Sequence, residues 1–65
     1  MVRYKCISVT SGNDYEVGKD GVQSIERESG KLLFTVRYED GATKEHRSQE
    51  IVEVELTEEE ERRLL

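Results

Sequence analysis

The segment FTVRYEDGATKEHR, residues 34–47, decides the fold because it combines two short strand patterns with a tight turn. Asp40 and Gly41 form the strongest turn signal in the chain, since a two-residue hairpin loop needs a backbone that tolerates positive φ. Before the turn, apolar residues at alternate positions would share one face of a strand. These residues are Leu32, Phe34, Val36 and Tyr38. The sequence therefore predicts a β-hairpin that turns this set toward the core.

Three further glycine turns precede the hairpin, at residues 11–14, 18–21 and 28–31. Short strand patterns at this spacing are typical of an all-β barrel or sandwich. In the first of them, Tyr4 and Cys6 point one way and Ile7 and Val9 the other, which a β-bulge, a strong bend or burial of both faces would explain. The segment VQSIER shows the same break in alternation, between Val22 and Ile25, so the sequence leaves its register open.

The segment EIVEVEL, residues 50–56, predicts the last strand. Its alternation places three apolar residues inward, namely Val52, Val54 and Leu56. Glu53 and Glu55 would then face outward, and Ile51 would lie at the strand entrance or on a second surface.

The segment TEEEERRLL, at about residues 57–65, predicts a short helix. Thr57 is placed to cap it, with Glu60 reaching back in a capping box. Two i,i+4 ion pairs are predicted on its surface, Glu58 with Arg62 and Glu59 with Arg63. The helix is shorter than the roughly 12–15 residues that an isolated helix needs in water, so Leu64 and Leu65 should pack on this barrel or on another chain.

Residues 34–56 resemble the central hairpin and following strand of SH3-like and Tudor-like small barrels. The resemblance implies the architecture of a small barrel. Such barrels bind proline-rich peptides or methylated side chains through clustered aromatic residues, and this chain has three tyrosines, one phenylalanine and no tryptophan. We expect a single domain over residues 1–65 that is mainly β: an SH3-like barrel of five or six antiparallel strands with a short C-terminal helix.

The composition restricts the cellular compartment and the kinds of metal or cofactor site that the sequence predicts. The chain has 65 residues, a net charge of −5 and a single cysteine, so it cannot form an internal disulfide. A lone cysteine without a signal peptide indicates the cytoplasm. No apolar run approaches the roughly 20 residues of a membrane span, so no membrane partner is expected. No cysteine and histidine cluster suggests zinc, no calcium or phosphate loop matches, and no metal or cofactor is predicted.

Two residues are candidates for catalysis, and neither is assigned a catalytic role. His46, the only histidine, has the chemistry of an acid or base but lacks partners at a recognisable spacing, so it is interpreted as a solvated strand residue. Cys6 lies among apolar residues and is interpreted as a small buried hydrophobe. The chain is therefore predicted not to be an enzyme.

The function predicted is a non-enzymatic interaction module with a protein partner, of which a homodimer is one version. Seven residues are predicted to contact the partner: Leu33, Arg37, Lys44, Arg47, Ile51, Leu64 and Leu65. A nucleic-acid-associated barrel is an alternative, for which the basic residues at 3, 5, 37, 44 and 47 would form a stripe, although the negative net charge does not favour it. A second alternative is an acidic phage-type inhibitor or nucleic-acid mimic, in which the glutamates at 50, 53, 55 and 58–61 present phosphate-like charge to a basic partner.

Overall fold

The computed structural model describes residues 1–64 and shows a curled half-barrel of six antiparallel strands with one short C-terminal helix. The strands are β1 (Val2–Val9), β2 (Asp14–Glu16), β3 (Val22–Arg27), β4 (Leu33–Tyr38), β5 (Thr43–Arg47) and β6 (Ile51–Leu56). A single 3-10 turn, Ser48–Glu50, joins β5 to β6, and α1 spans Glu58–Leu64. The predicted fold class is confirmed.

Strand β1 is the centre of the sheet, whose order is β2-β1-β3-β4-β5 with β6 also paired to β1. It pairs with β3 through residues 2–4, with β2 through residues 6–8, and with β6 along residues 4–9. Within residues 1–64, strands β2, β5 and β6 each have a single partner strand. The half-barrel therefore ends in exposed strand edges, and β6 is one of them.

The β4–β5 hairpin forms as predicted, but its loop has three residues rather than two. The Tyr38 N–H donates to the carbonyl of Ala42 over 2.9 Å, which closes the loop around residues 39–41. Gly41 has a φ of +92°, and it is the only residue of this loop with positive φ. A three-residue loop of this kind needs one left-handed position, which glycine occupies at no steric cost.

Eight apolar residues form the buried core: Tyr4, Ile7, Val9, Tyr15, Val22, Ile25, Phe34 and Val36. Two register shifts explain why residues of opposite parity reach it. The β1–β6 register shifts between Tyr4 and Cys6, and the β3–β4 register shifts between Val22 and Ser24. Each shift inserts one extra residue, so the side chains beyond it turn back toward the core.

Three apolar residues that the alternation places inward are instead exposed. Leu32 precedes β4 and is 71% exposed, while Val52 and Val54 on β6 are 63% and 48% exposed. The β1–β6 register shifts again between Ser8 and Val9, which leaves Val52 as an extra residue without a pair. Strand β6 therefore meets the core only at its two ends, where Ile51 and Leu56 pack against it.

The helix begins with the predicted cap, because the Glu60 N–H donates to the Thr57 hydroxyl over 3.3 Å. The two predicted i,i+4 ion pairs are wrong. On the described part of α1 the ion pair joins Arg63 Nη1 to Glu60 Oε1 over 3.6 Å. Glu60 is only 9% exposed, since α1 packs against β1 and β6 and turns this residue toward the sheet. The prediction for Leu64 and Leu65 lies outside the described side chains.

Candidate interaction site

The outer side of the β2-β1-β6 sheet carries two rows of three residues, each with an acid at both ends. Glu16 and Glu55 flank Cys6, and Asp14 and Glu53 flank Ser8. Residues paired across antiparallel strands share a face, so the four carboxylates form one surface. We call this set, Asp14, Glu16, Glu53 and Glu55, the acidic face.

The row between these two lies on the opposite, inner side of the sheet. It consists of Tyr15, Ile7 and Val54, paired in that order across β2, β1 and β6. Tyr15 and Ile7 are 7% and 1% exposed, whereas Val54 is 48% exposed. Burial therefore ends at β6, because within residues 1–64 no strand lies beyond it.

Two lysines approach the acidic face and leave it negative. Lys5 Nζ is 3.9 Å from Glu55 Oε1, and Lys19 Nζ is 3.1 Å from Glu16 Oε2. Both lysine side chains are more than half exposed, at 60% and 73%. Ion pairs this exposed are typically worth only about 0–1 kcal/mol because water and salt screen them. In the described chain, Asp14 and Glu53 have no ion-pair partner.

Cys6 is half-buried at the middle of the acidic face, not the buried hydrophobe that the sequence predicted. Its Sγ lies 3.4 Å from Glu55 Oε2. Burial raises the pKa of the thiol, and the hydrogen bond to Glu55 and the charges of Glu55 and Glu16 raise it further, against a smaller opposing effect of Lys5. The thiol is held in its neutral form, which is a poor nucleophile and a poor metal ligand.

His46 is not the solvated residue that the sequence predicted, because its side chain is only 16% exposed. Its Nε2 lies 3.0 Å from the Tyr15 hydroxyl, and its Nδ1 lies 3.8 Å from Glu50 Oε1. Glu50 also accepts the Arg47 N–H through Oε2 over 2.7 Å. We call Tyr15, His46 and Glu50 the β2–β5 latch, because they join these two strands across the opening of the half-barrel. Tyr15 is 7% exposed, so its hydroxyl serves packing rather than an open reaction site.

The residues predicted to contact a partner are divided among several locations. Leu33 and Arg47 are directly paired on the outer face of β4 and β5, and Arg37 lies on the same face with its Nε 3.1 Å from Glu26 Oε1. Lys44 lies on the other face, with its Nζ 5.9 Å from the centre of the Tyr15 ring.

The remaining predicted contact residues do not join that group. Ile51 packs against the core and is not a free contact. The Leu64 side chain and Leu65 fall outside the part of the chain that the structure describes. Leu33 and Arg37, together with Met1, line a shallow groove of about 330 Å³ on the outer face, whose other lining residues are Thr35 and charged side chains of both signs.

Sequence reasoning did not identify Asp14 and Glu16 as neighbours of Glu53 and Glu55. The only available signal was the alternation of acids in DYE and EVE, at residues 14–16 and 53–55. Their convergence depends on both segments pairing with the same stretch of β1, and alternation within one segment does not specify its partner strand.

Comparisons with models of known protein families, with curated proteins and with solved structures gave no match. Across residues 1–64, no helix has the length and apolar character needed to cross a bilayer. Over the same residues, no group of three or more histidine, cysteine or carboxylate side chains is arranged to hold a metal ion.

Proposed function

We propose that this chain is a non-enzymatic interaction module that binds a protein partner along the free edge of β6. The observation that carries the proposal is the exposure of Val52 and Val54, at 63% and 48%, on a strand with one partner strand in the described chain. An edge strand presents unpaired main-chain N–H and C=O groups to a second chain. Apolar side chains beside those groups add a contact that exclusion from water favours.

The other long edge of the sheet is β5, and its residues are less suited to pairing with a second chain than those of β6. Its exposed positions include Lys44, Glu45 and Arg47, and none of its five residues is an exposed aliphatic one. Charged residues on an edge discourage pairing with other chains. Strand β6 alternates glutamates with valines instead, which is the pattern that strand addition uses: main-chain hydrogen bonds for affinity and alternate side chains for specificity.

The surroundings of His46 and Cys6, the two residues with catalytic potential, support a non-enzymatic role. His46 is held in the β2–β5 latch, where its two ring nitrogens face Tyr15 and Glu50. Cys6 is kept neutral by burial and by the carboxylates around it. An activated nucleophile needs an adjacent base or a lowered pKa, and Cys6 has the opposite environment.

The alternative of nucleic-acid binding has less support. Stacking requires exposed aromatic rings, but Tyr4, Tyr15 and Phe34 are buried in the core. Two of the basic residues that would form the stripe, Lys5 and Arg37, face carboxylates.

The acidic inhibitor remains an alternative, with a changed set of residues. Glu50 belongs to the latch and Glu60 is buried, so neither offers a free carboxylate. The acidic face provides Glu53 and Glu55 together with the two unpredicted acids. The proposed location is the cytoplasm, which the unpaired cysteine supports.

The test is affinity capture from native extract with the wild-type chain and two charge-matched double variants. Val52→Lys with Val54→Lys blocks the β6 edge, while Val17→Lys with Leu32→Lys changes two exposed apolar residues elsewhere. The captured proteins are identified by mass spectrometry, produced pure and tested again for binding. We expect the edge variant to lose them and the control variant to keep them. Equal retention by both variants, or equal loss, would count against the β6 edge.

A further inference from the structure

We infer that the partner segment is an extended cationic strand, in which apolar residues alternate with lysine or arginine. This inference rests on the proposed function and names the chemistry of its partner. It begins from the two sides of β6: Val54 continues the inner row of Tyr15 and Ile7, whereas Glu53 and Glu55 belong to the acidic face.

A strand added beside β6 must follow the same alternation. Residues paired across antiparallel strands lie on the same side of the sheet, so the residue opposite Val54 continues the inner row. An apolar side chain there would cover the exposed part of Val54, which is now 48% exposed. The residues opposite Glu53 and Glu55 would lie beside the acidic face. Because β6 alternates valine with glutamate, the added strand must alternate apolar residues with polar ones.

Charge decides what those polar residues are. Glu53 and Glu55 would lie one strand spacing, about 4.8 Å, from the added chain, which is within the Debye length of about 8 Å at physiological ionic strength. Asp14 and Glu16 lie on β2, two strands farther from the edge, so salt screens their effect more strongly. Lys5, which lies 3.9 Å from Glu55, is largely exposed and neutralises this surface only weakly. Cationic side chains on the partner fit this surface, and acidic ones are repelled.

The same charges disfavour a second copy of the chain at this edge. If two β6 strands paired antiparallel about Val54, Glu53 of one copy would lie opposite Glu55 of the other. Carboxylates directly opposite each other destabilise a strand pair. A shift by one residue would place a glutamate on the same side as Val54, because side chains alternate with a period of two. A homodimer would therefore need a different surface.

The experiment uses the full chain, labelled with ¹⁵N, and three short peptides. One peptide alternates lysine with valine, the second alternates glutamate with valine, and the third holds the same lysines and valines in two blocks. We expect the alternating cationic peptide to bind and to slow amide exchange within residues 51–56. The acidic peptide should not bind, and the block peptide should give no protection on β6. Binding by the acidic peptide, or protection located elsewhere, would overturn the inference.

Two matched variants distinguish the effect of the charges beside β6 from the effect of net charge. Glu53→Gln with Glu55→Gln removes two charges beside the edge, and Glu58→Gln with Glu59→Gln removes two exposed charges on α1. We expect the first variant to raise the Kd for the cationic peptide about tenfold and the second less than about twofold. An equal loss in both variants would show attraction by net charge alone and would overturn the inference.

Two further results separate this inference from the proposed function. If capture depends on Val52 and Val54 but the alternating cationic peptide does not bind, the β6 edge is a protein-binding site for a partner of other chemistry, and the inference is wrong. If capture does not depend on these valines, the proposed function is wrong as well. Single-stranded DNA that shifts the β6 amides in place of the peptide would likewise contradict the inference.

Discussion

The Nε2 atom of His46 lies 3.0 Å from the hydroxyl of Tyr15, although 31 residues separate the two in the chain. Their rings are 5.2 Å apart between centroids and tilted by 43°. The contact joins β2 to β5, which are not neighbours in the sheet. It therefore gives the half-barrel a closure that backbone hydrogen bonds do not provide.

Removing the Tyr15 hydroxyl should weaken the fold. Tyr15→Phe leaves the ring in the core but takes away the partner of a largely buried histidine nitrogen, so we expect the free energy of unfolding to fall by about 1–2 kcal/mol. Urea denaturation followed by circular dichroism measures this. Tyr38→Phe is the matched control, because no hydrogen bond of the Tyr38 hydroxyl is seen among residues 1–64, and it should change stability by less than about 0.5 kcal/mol. Equal effects of the two substitutions would show that the latch does not stabilise the fold.

Two valines that look alike in the sequence should respond differently to truncation. Val36 is fully buried, and Val36→Ala should cost about 2–3 kcal/mol from lost burial and the cavity left behind. Val54 is 48% exposed, and Val54→Ala should cost less than about 0.5 kcal/mol. Thermal and urea unfolding of the two variants checks this. A similar loss of stability in both variants would indicate that Val54 packs in the core, which would contradict its exposure at the sheet edge.

The reactivity of Cys6 should depend on Glu55. The pKa of the thiol is raised above its ordinary value of 9.0 by burial first, and then by the hydrogen bond and charge of Glu55. Glu55→Gln should lower the pKa, enlarge the thiolate fraction and speed alkylation by iodoacetamide at mildly alkaline pH by several-fold. Glu53→Gln is the control, since Glu53 lies in the row of Ser8 and should leave the rate almost unchanged. Equal rates in all three proteins would contradict the role of Glu55.

The same thiol should make stability fall at alkaline pH. Because its folded-state pKa is raised, the stability that it contributes is present below the unfolded-state pKa and is lost as the pH rises through the folded-state value. Cys6→Ser has no such titration in this range, so its stability should decline less between neutral and alkaline pH. Urea midpoints across a pH series test this, and parallel pH profiles for the two proteins would argue against it.

Loss of the helix cap should affect α1 alone. Thr57→Ala removes the hydroxyl that accepts the Glu60 N–H, which typically costs about 1 kcal/mol. We expect lower helical content and faster amide exchange at the start of α1, with the strand amides unchanged. Thr10→Ala, at an exposed turn position, is the control and should leave α1 unaffected.

Local patterns predicted the elements of this fold well, because their causes are local. Asp40 and Gly41 mark the hairpin, and Thr57 marks the start of the helix. The breaks in alternation in β1 and β3 are visible in the sequence, and register shifts account for both, since two buried residues of opposite parity on one strand require an extra residue between them. These features need no knowledge of which strands are neighbours.

The candidate site could not be predicted in the same way, because it depends on partner strands. Val54 has the alternation of a core residue, and its exposure follows from the position of β6 at the sheet edge. His46 has the sequence surroundings of a surface residue, and its burial follows from the curl that brings Tyr15 to it. Neither position in the fold is encoded within a few residues of the side chain concerned.

The unpaired residue in β6 also limits how long a bound segment would remain. Because Val52 interrupts the register with β1 and the register shifts again between Glu55 and Leu56, the regular pairing is confined to residues 53–55, about 10 Å of strand. A contact this short would offer few main-chain hydrogen bonds, so a segment bound as proposed would dissociate fast, whereas the negative charges would accelerate its encounter with the edge. If the proposed function holds, partners would exchange rapidly at this edge, and long residence would require several such contacts at once.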